Sequence, residues 1–331
     1  MRIGVIGAGA WGTAFAIHLA RTGKKVLLWV YEKELLSDFR ERGENTAFLP
    51  GFKLGSAIDY TNDLQEAADF ADTVVVATPS FALRDTLIPV AAHLRSKKIL
   101  ILTKGIERST LKLMNEVVEE ATGSTGETIA ALSGPSFALE VARGLFTAVV
   151  VASKNMDLSL NLQERIHSEY FRVYRVDDIT GVELGGALKN VMAIGSGIIE
   201  GLGFGTNTQA AFTTRALAEI KRLGLAMGAR ETTFMGLSGM GDLILTSYGS
   251  LSRNRIFGME LAKGRSPGEI IASQKTVVEG YYTINAARNL AARLGVVMPI
   301  TEELYRIVYE DKDITASLKD IITREFKKED Y

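Results

Sequence analysis

The sequence predicts an α/β protein in which a doubly wound parallel sheet is followed by an all-α domain. In the first half of the 331 residues, short apolar and β-branched runs alternate with helical segments, a pattern typical of a parallel sheet covered by helices on both faces. A glycine-rich motif joins the first strand to the first helix. After about residue 180, helical spacing continues with no strong strand pattern.

The strands of the sheet are predicted in order along the first half. The first covers residues 3–6 and leads through the glycine motif into a helix over residues 10–22, which Gly23 is placed to end. Residues 73–77 form a continuous β-branched run, which favours a strand buried on both faces. Further strands are predicted at residues 25–30, 99–102, 128–132, 147–152 and 171–176.

The second half is predicted to be helical. Residues 266–269 (Ser-Pro-Gly-Glu) match a capping box with proline at the first helical position, and Thr301 is expected to cap another helix. The boundary is placed after residue 184, so that residues 1–184 form the sheet domain and residues 185–331 the all-α domain. Helices are predicted over residues 180–200, 207–227, 256–263, 281–294, 301–309 and 316–327, with the charged tail 324–331 as a solvated end.

Composition excludes several classes of protein and site. Lys and Arg number 38 against 39 Asp and Glu, so the net charge of −1 argues against a nucleic-acid binder. The absence of cysteine excludes disulfides, thiolate metal sites and cysteine nucleophiles, and no two of His18, His93 and His167 have metal-ligand spacing, so we expect no metal. Apolar runs reach only about eight residues, too few to span a membrane. With no signal-peptide pattern at the N-terminus, a cytoplasmic protein is expected.

The glycine motif at residues 7–12, GAGAWG, predicts a dinucleotide site. Gly7 permits the tight turn after the strand, Gly9 lets a pyrophosphate approach the backbone, and Gly12 allows close packing of helix and strand. The N-terminus of the following helix offers free N–H groups to the phosphates. The sheet domain is therefore predicted to be a Rossmann-type domain that binds NAD(H) or NADP(H).

The choice between the two nicotinamide cofactors stays open at this point. Tyr31 and Glu32 follow the second strand, where an acidic side chain accepts hydrogen bonds from a ribose hydroxyl and favours NAD, whereas arginine favours NADP. Lys33 is adjacent, and Glu32 is equally well explained as an acid in the first turn of a helix.

A lysine is the acid–base candidate that is left after other dehydrogenase chemistries are excluded. The chain has no Cys or His set for zinc, no Tyr-x-x-x-Lys pair and no cysteine nucleophile. Lys189 lies in an otherwise apolar helix, among small residues at helical spacing: Gly185, Gly186, Ala193 and Ser196. This face leaves room for a ligand beside the amine, and the alternative is a lysine that reaches solvent above a close helix contact.

Three further segments carry polar groups suited to a phosphate or a carbonyl. Residues 239–242 place the Asp242 carboxylate after a flexible glycine turn. Residues 252–255, Ser-Arg-Asn-Arg, supply two guanidinium groups with amide and hydroxyl donors. Residues 133–138, Ser-Gly-Pro-Ser-Phe-Ala, form a strand-to-helix turn with exposed N–H donors.

An ordered series of motifs resembles the bacterial-type NAD(P)-dependent sn-glycerol-3-phosphate dehydrogenases. The series runs from residue 7 to residue 283, and PITEELY near the C-terminus also fits. Its members are GAGAWGTA from Gly7, NTAFLPG from Asn45, TKGIE from Thr103, SGPSFA from Ser133, GGALKN from Gly185, EGLGFGTNTQAA from Glu200, GLSGMGDL from Gly236, SRNRIFG from Ser252 and VVEGYYT from Val277.

The resemblance implies a function and a set of site residues. It implies reversible hydride transfer between NAD(P)H and dihydroxyacetone phosphate, giving sn-glycerol 3-phosphate for phospholipid synthesis, in a homodimer whose all-α domain is like the C-terminal domain of 6-phosphogluconate dehydrogenase. Lys189 matches the catalytic lysine. The implied substrate-binding residues are Lys104, Gly134, Ser136, Lys189, Asp242, Ser252, Arg253 and Asn254. The implied cofactor-binding residues are Ala10, Trp11, Tyr31, Lys104, Ala138, Arg253, Val277 and Glu279, beside the motif glycines Gly7, Gly9 and Gly12.

Two residues depart from the family pattern, and two other functions stay as alternatives. Ala10 stands where serine is common, and Tyr31 where His or Arg is common, which argues against a strong NADP preference. The enzyme alternative is another lysine-dependent hydroxyacid or 6-phosphogluconate-type dehydrogenase. The non-enzyme alternative is a nicotinamide-sensing regulator, although residues 185–331 contain no helix with a basic face.

Overall fold

Residues 2–176 build one eight-stranded sheet in the order β3-β2-β1-β4-β5-β6-β7-β8. The structure is a computed structural model that describes residues 2–274, 276–323 and 328, so the predicted tail 324–331 lies outside the described residues except for Lys328. The strands are β1 Arg2–Ile6, β2 Lys25–Trp29, β3 Ile58–Thr61, β4 Thr73–Val76, β5 Lys98–Ile101, β6 Ile129–Ser133, β7 Thr147–Ala152 and β8 Phe171–Val176.

Helices cover both faces of this sheet, which confirms the predicted doubly wound fold. The order reverses between β1 and β4, and the carboxyl ends of these two strands therefore frame a crevice of the kind that binds ligands in such folds. The helices of this half are α1 Ala10–Arg21, α2 Lys33–Arg42, α3 Leu64–Phe70, α4 Leu83–Leu87, α5 Ala91–Leu94, α6 Met114–Thr122, α7 Ala138–Arg143 and α8 Met156–Ile166.

Two features of the sheet correct the prediction. Strand β3 is an additional, unpredicted strand: it is short, lies at the edge of the sheet beside β2 and carries the exposed Asp59 in its middle. Strand β7 runs antiparallel to β6, whereas all other neighbours are parallel. Residues 134–146 connect the two strands, and their one helix is the six-residue α7, about 9 Å long. This helix is shorter than the five-residue strand β6, which spans roughly 17 Å, so it does not carry the chain back to the other end of the sheet.

The second half is helical, as predicted. Its helices are α9 Ile179–Gly201, α10 Thr206–Ala226, α11 Glu231–Phe234, α12 Asp242–Tyr248, α13 Arg253–Ala262, α14 Pro267–Ser273, α15 Glu279–Arg293, α16 Pro299–Tyr309 and α17 Ile314–Ile322. The capping box at Ser266 is present at the start of α14. The predicted cap at Thr301 is wrong, because α16 begins two residues earlier at Pro299 and the Glu219 carboxylate accepts the N–H groups of Ile300 and Thr301.

Helix α9 joins the two halves and lies at the centre of the molecule. Its 23 residues are long and apolar enough to cross a membrane by length and composition, yet the apolar window is entirely buried inside the protein. Close contact with α13 depends on glycine, because a Cβ at Gly197 would lie 2.0 Å from the Arg255 carbonyl oxygen. The helix starts at residue 179, so the proposed boundary after residue 184 lies within it and stays a prediction.

Candidate active site

The glycine motif forms a turn with open space at its middle residue. Gly7 has a φ of +117°, and a Cβ there would lie 2.8 Å from the backbone of Ala77. A Cβ at Gly12 would lie 1.9 Å from the Gly7 carbonyl oxygen, so α1 packs directly on the end of β1. Beside Gly9, in contrast, an added Cβ would meet no atom within 4 Å. The turn therefore fits the pyrophosphate of a dinucleotide at Gly9 and the N-terminus of α1.

Three other predicted cofactor residues belong to α1 or to α7, which packs against it. Ala10 is the first residue of α1, and Trp11 and Ala138 pack on the same face of the core. The indole Nε1 of Trp11 is buried and has no hydrogen-bond partner within residues 2–274, 276–323 and 328. A buried donor with no partner is unusual in a folded protein, and here it lies in the segment that would hold the cofactor.

Tyr31 lies apart from these residues, just after the carboxyl end of β2. Its side chain is 75 % exposed and makes an edge-on contact with Trp29 at 5.8 Å between ring centroids. Glu32 follows as the N-cap residue of α2, but its side chain makes no capping hydrogen bond. Both side chains are therefore free to meet a ligand at this end of the sheet.

Three charged side chains from distant parts of the sequence meet at a buried carboxylate. Asp242 is fully buried, and its Oδ1 accepts a hydrogen bond from Lys189 Nζ at 2.6 Å. Its Oδ2 accepts from Lys104 Nζ at 2.7 Å. Lys104 extends from the carboxyl end of β5 in the sheet domain, whereas Lys189 and Asp242 belong to α9 and α12 of the helical half. The cluster thus lies where the two halves meet.

Burial makes the Lys189 amine a weaker base than an ordinary lysine. The side chain retains 10 % exposure, and desolvation lowers the pKa of Lys189 to about 8. Asp242 raises this pKa and the ammonium of Lys104 lowers it, but both effects are smaller than that of burial. Desolvation therefore dominates the pKa of Lys189. A pKa near neutrality suits a group that gives and takes protons.

Thr246 is a member of this cluster that the sequence pattern did not indicate. Lys189 Nζ donates to Thr246 Oγ1 at 2.8 Å, and this threonine is buried one turn after Asp242 on α12. A flexible turn is predicted at residues 239–242, but α12 begins at Asp242 itself, so the prediction omitted this helix. Had a helix been predicted there, the i, i+4 spacing of Asp242 and Thr246 would have indicated a shared face.

The segment from Ser252 to Asn254 divides into structural and available groups. Ser252 caps α13 by accepting from the Arg255 N–H, and it is buried. Asn254 is also buried, donating to Asn190 Oδ1 at 2.9 Å and accepting from the Gly280 N–H at 2.9 Å. Arg253 as a whole is exposed to solvent. Its guanidinium is partly desolvated, and this desolvation lowers the pKa of the group. Of the three residues, Arg253 is the one whose side chain carries a positive charge that can bind an anion.

The other predicted residues lie at the start of α15 and at the end of β6. Glu279, the first residue of α15, accepts from the Ser80 N–H at 3.0 Å and from Ser80 Oγ at 2.7 Å, which ties the helical half to the carboxyl end of β4. Val277 lies two residues before it and is half-buried. At the end of β6, the carbonyl oxygen of Gly134 accepts from Ser136 Oγ at 2.8 Å and from Lys104 Nζ at 3.4 Å.

The histidines take no part in this site. His18 is buried, its Nε2 lies 2.7 Å from the Ile166 carbonyl oxygen, and burial lowers its pKa to about 4. His93 pairs with Asp69 on the surface. Across the described part of the chain, no three His, Asp or Glu side chains come together to hold a metal ion.

Comparison with known proteins places both halves in one family. The family model for the N-terminus of NAD-dependent glycerol-3-phosphate dehydrogenase matches residues 2–159, and the model for its C-terminus matches residues 178–319. A glycerol-3-phosphate dehydrogenase [NAD(P)+] of Syntrophotalea carbinolica is 48 % identical over 331 residues, covering 99 % of each chain. That of Citrifermentans bemidjiense is 46 % identical over 330 residues, covering 99 % of this chain and 98 % of the relative.

The chain belongs to the NAD-dependent glycerol-3-phosphate dehydrogenase family. The resemblance predicted from the motifs is therefore confirmed. The crystal structure of glycerol-3-phosphate dehydrogenase from Coxiella burnetii superposes on this dehydrogenase with a TM-score of 0.93, at 37 % identity, covering 98 % of this chain and 99 % of that one. D-mandelate dehydrogenase shares the fold alone, with a TM-score of 0.64 at 16 % identity.

Proposed function

We propose that this protein is an NAD(P)-dependent sn-glycerol-3-phosphate dehydrogenase that interconverts dihydroxyacetone phosphate and sn-glycerol 3-phosphate. The observation that carries the proposal is the contact of Lys189 with Asp242 and Thr246, which holds a buried amine at the meeting point of the two halves. Family membership, with relatives named glycerol-3-phosphate dehydrogenase [NAD(P)+], supports the substrate. The glycine turn at Gly9 supports the cofactor.

The chemistry divides between the cofactor and the protein. When bound, NAD(P)H supplies a hydride to the ketone carbon of dihydroxyacetone phosphate. Lys189 then gives a proton from Nζ to the carbonyl oxygen, on which negative charge develops as the C–H bond forms. In the reverse direction the neutral amine of Lys189 takes the hydroxyl proton of glycerol 3-phosphate. One hydride and one proton are transferred in each direction, so the reaction balances.

Asp242, Thr246 and Lys104 act on Lys189 and on the charge of the site. Asp242 and Thr246 each hold Nζ within hydrogen-bond distance, which limits the rotation of a long side chain. The cluster contains two ammonium groups and one carboxylate, so with Lys189 protonated it carries a net positive charge. A positive site stabilises the negative oxygen of the transition state.

The substrate phosphate is assigned to the start of α13. Arg253 is the exposed cation there, and its planar guanidinium suits bidentate binding of a phosphate. Asn254 has one amide hydrogen left after its bond to Asn190. Gly134, Ser136 and Ser252 are assigned to the substrate, while Ala10, Trp11, Tyr31, Ala138, Val277 and Glu279 are assigned to the cofactor. Residues 1–184 then form the dinucleotide-binding domain and residues 185–331 the substrate-binding domain.

We further infer a cytoplasmic homodimer that supplies glycerol 3-phosphate to phospholipid synthesis. Family resemblance supports each of these points. Exposed apolar side chains on the helical half, among them Phe204, Ile244, Tyr248 and Leu251, support an interface between two copies at this half.

Oxidation of NADH and of NADPH by the purified protein with dihydroxyacetone phosphate tests the proposed function. We expect rapid oxidation of at least one cofactor, and a loss of roughly 10²–10⁴-fold in kcat for Lys189→Ala. Lys25→Ala is the matched control, because Lys25 is exposed at the opposite, N-terminal end of β2. Cofactor binding without turnover would reject the substrate, and a panel of 2-hydroxy acids would then test the dehydrogenase alternative.

A further inference from the structure

Asn45 is a fully buried amide that belongs to none of the groups assigned above. It begins the loop of residues 45–51, between α2 and β3, and lies beneath the glycine turn. Its Nδ2 donates to the Ala8 carbonyl oxygen at 2.8 Å and to Thr13 Oγ1 at 2.7 Å. Its Oδ1 accepts from the Phe48 N–H at 3.0 Å, which fixes the orientation of the amide. Both N–H groups of this side chain are therefore used within the protein.

The Ala8 carbonyl oxygen is held from two directions. Thr13 Oγ1 also approaches it, at 3.3 Å, from the first turn of α1. Thr13 is itself fully buried, and its hydroxyl accepts from Asn45 while it donates to Ala8. Asn45, Thr13 and Ala8 thus form a closed triangle of hydrogen bonds on the inner side of the turn.

This triangle determines where the next peptide N–H points. The carbonyl of Ala8 and the N–H of Gly9 belong to one trans peptide group, in which the two bonds are directed oppositely. With the carbonyl held toward Asn45, the Gly9 N–H points away from Asn45. The same residue has open space around it, because an added Cβ at Gly9 would meet no atom within 4 Å. Over residues 2–274, 276–323 and 328, this N–H has no protein acceptor.

We propose that Asn45 and Thr13 are positioning residues, which hold the Ala8–Gly9 peptide so that the Gly9 N–H is available to the cofactor pyrophosphate. The inference rests on the proposed dinucleotide function. Without the Asn45 and Thr13 donors, the Ala8–Gly9 peptide is free to rotate. Reorienting this peptide on binding costs free energy and so weakens the binding of the pyrophosphate. The same hydrogen bonds also attach the loop of residues 45–51 to the glycine turn. The test must therefore distinguish positioning of the peptide from a purely structural role.

Isothermal calorimetry with ADP-ribose and with NADH separates the two roles. Thr13→Val removes the hydroxyl at nearly constant volume, and we expect roughly tenfold weaker binding of both ligands, about 1.4 kcal/mol. Thr13→Ser restores a hydroxyl and should bind within about twofold of the original protein. Asn45→Ala removes both donors and should weaken binding more. Thr22→Val is the matched control, because its hydroxyl bonds the Leu19 carbonyl at the other end of α1.

The kinetic signature of positioning is a split between KM and kcat. We expect the KM for NADH to rise in Thr13→Val while kcat at saturating NADH and the KM for dihydroxyacetone phosphate change less than about twofold. A lower Tm with unchanged ADP-ribose affinity would overturn the proposal in favour of a structural role. If Asn45→Ala does not fold, Thr13→Val decides. Because ADP-ribose binding needs no turnover, a failure of the proposed substrate would leave this comparison intact.

Discussion

Nζ of Lys189 lies 2.6 Å from Oδ1 of Asp242, and the carboxylate that receives it is fully buried. The second oxygen of the same carboxylate is bound to Lys104 at 2.7 Å. One acid therefore serves two amines, one from each half of the molecule. This arrangement keeps two positive groups close together in a largely buried cluster, where the side chains of Lys189 and Lys104 are 10 % and 16 % exposed. It determines the charge of the site and, together with burial, the pKa of Lys189.

Asp242→Asn should weaken Lys189 as an acid–base group. The substitution keeps the shape of the side chain but removes the charge that raises the pKa of Lys189. We therefore expect the pKa of Lys189 to fall below its value of about 8. The rate of dihydroxyacetone phosphate reduction should then begin to decrease at a lower pH than in the original protein. A pH–rate profile of both proteins measures the shift. Asp59→Asn, on the exposed side of β3, is the control, and an unmoved profile would contradict the assignment of Asp242.

The two directions of the reaction should depend oppositely on pH around 8. Reduction requires protonated Lys189, whose pKa is about 8, so its kcat/KM should be high below this pH and fall above it. Oxidation of glycerol 3-phosphate requires the neutral amine, so its rate should rise through the same range. Initial rates in each direction between pH 6 and 10, with saturating cofactor, test this. Two profiles that move in the same direction would exclude Lys189 as the group that exchanges the proton.

Tyr31 and Glu32 should make NADH the better cofactor. A 2′-phosphate at the end of β2 would meet the uncharged Tyr31 and the carboxylate of Glu32, with Lys33 as the nearest cation in sequence. Tyr31→Arg should raise kcat/KM for NADPH by about tenfold and change that for NADH much less. Tyr170→Arg, at an exposed tyrosine before β8, is a matched control for the added charge. An equal gain for both cofactors would show that residue 31 does not contact the 2′ position.

Glu183→Gln should stabilise the protein at alkaline pH. Burial raises the pKa of Glu183 to about 8, helped by Glu116 and Glu119, whereas the Asn115 N–H that it accepts opposes the shift. An unfolded glutamate ionises near 4.5, so between pH 4.5 and 8 the folded state binds the extra proton and stability falls as the pH rises.

The glutamine side chain keeps the acceptor for the Asn115 N–H and does not ionise. The gain of Glu183→Gln in free energy of unfolding should therefore grow between pH 5 and pH 8, by on the order of 1–3 kcal/mol. Urea unfolding at the two pH values measures it, with Glu164→Gln on the exposed face of α8 as the control. A gain that is the same at both pH values would mean that Glu183 is ionised in the folded protein.

Local patterns were sufficient for most of the fold. The run of β-branched residues at 73–77 and the glycine motif at 7–12 predicted β4 and the turn into α1, because such features depend on neighbouring residues alone. Strand β3 was not predicted because an edge strand with a polar middle residue has no distinct hydrophobic pattern in the sequence. Helix α12 was not predicted because the glycines before it indicate a turn, whereas in the folded protein Asp242 is buried as the first residue of a helix.

The sequence by itself determined the Rossmann-type sheet, the helical second half and the family, and it singled out Lys189 from the small residues on its helix face. Only the tertiary structure decided what surrounds that lysine. Asp242 lies 53 positions from Lys189 and 138 from Lys104, so no local pattern relates the three. The pKa of Lys189 depends on burial and on these neighbours, and both arise only when α9 and α12 pack together beneath the end of β5.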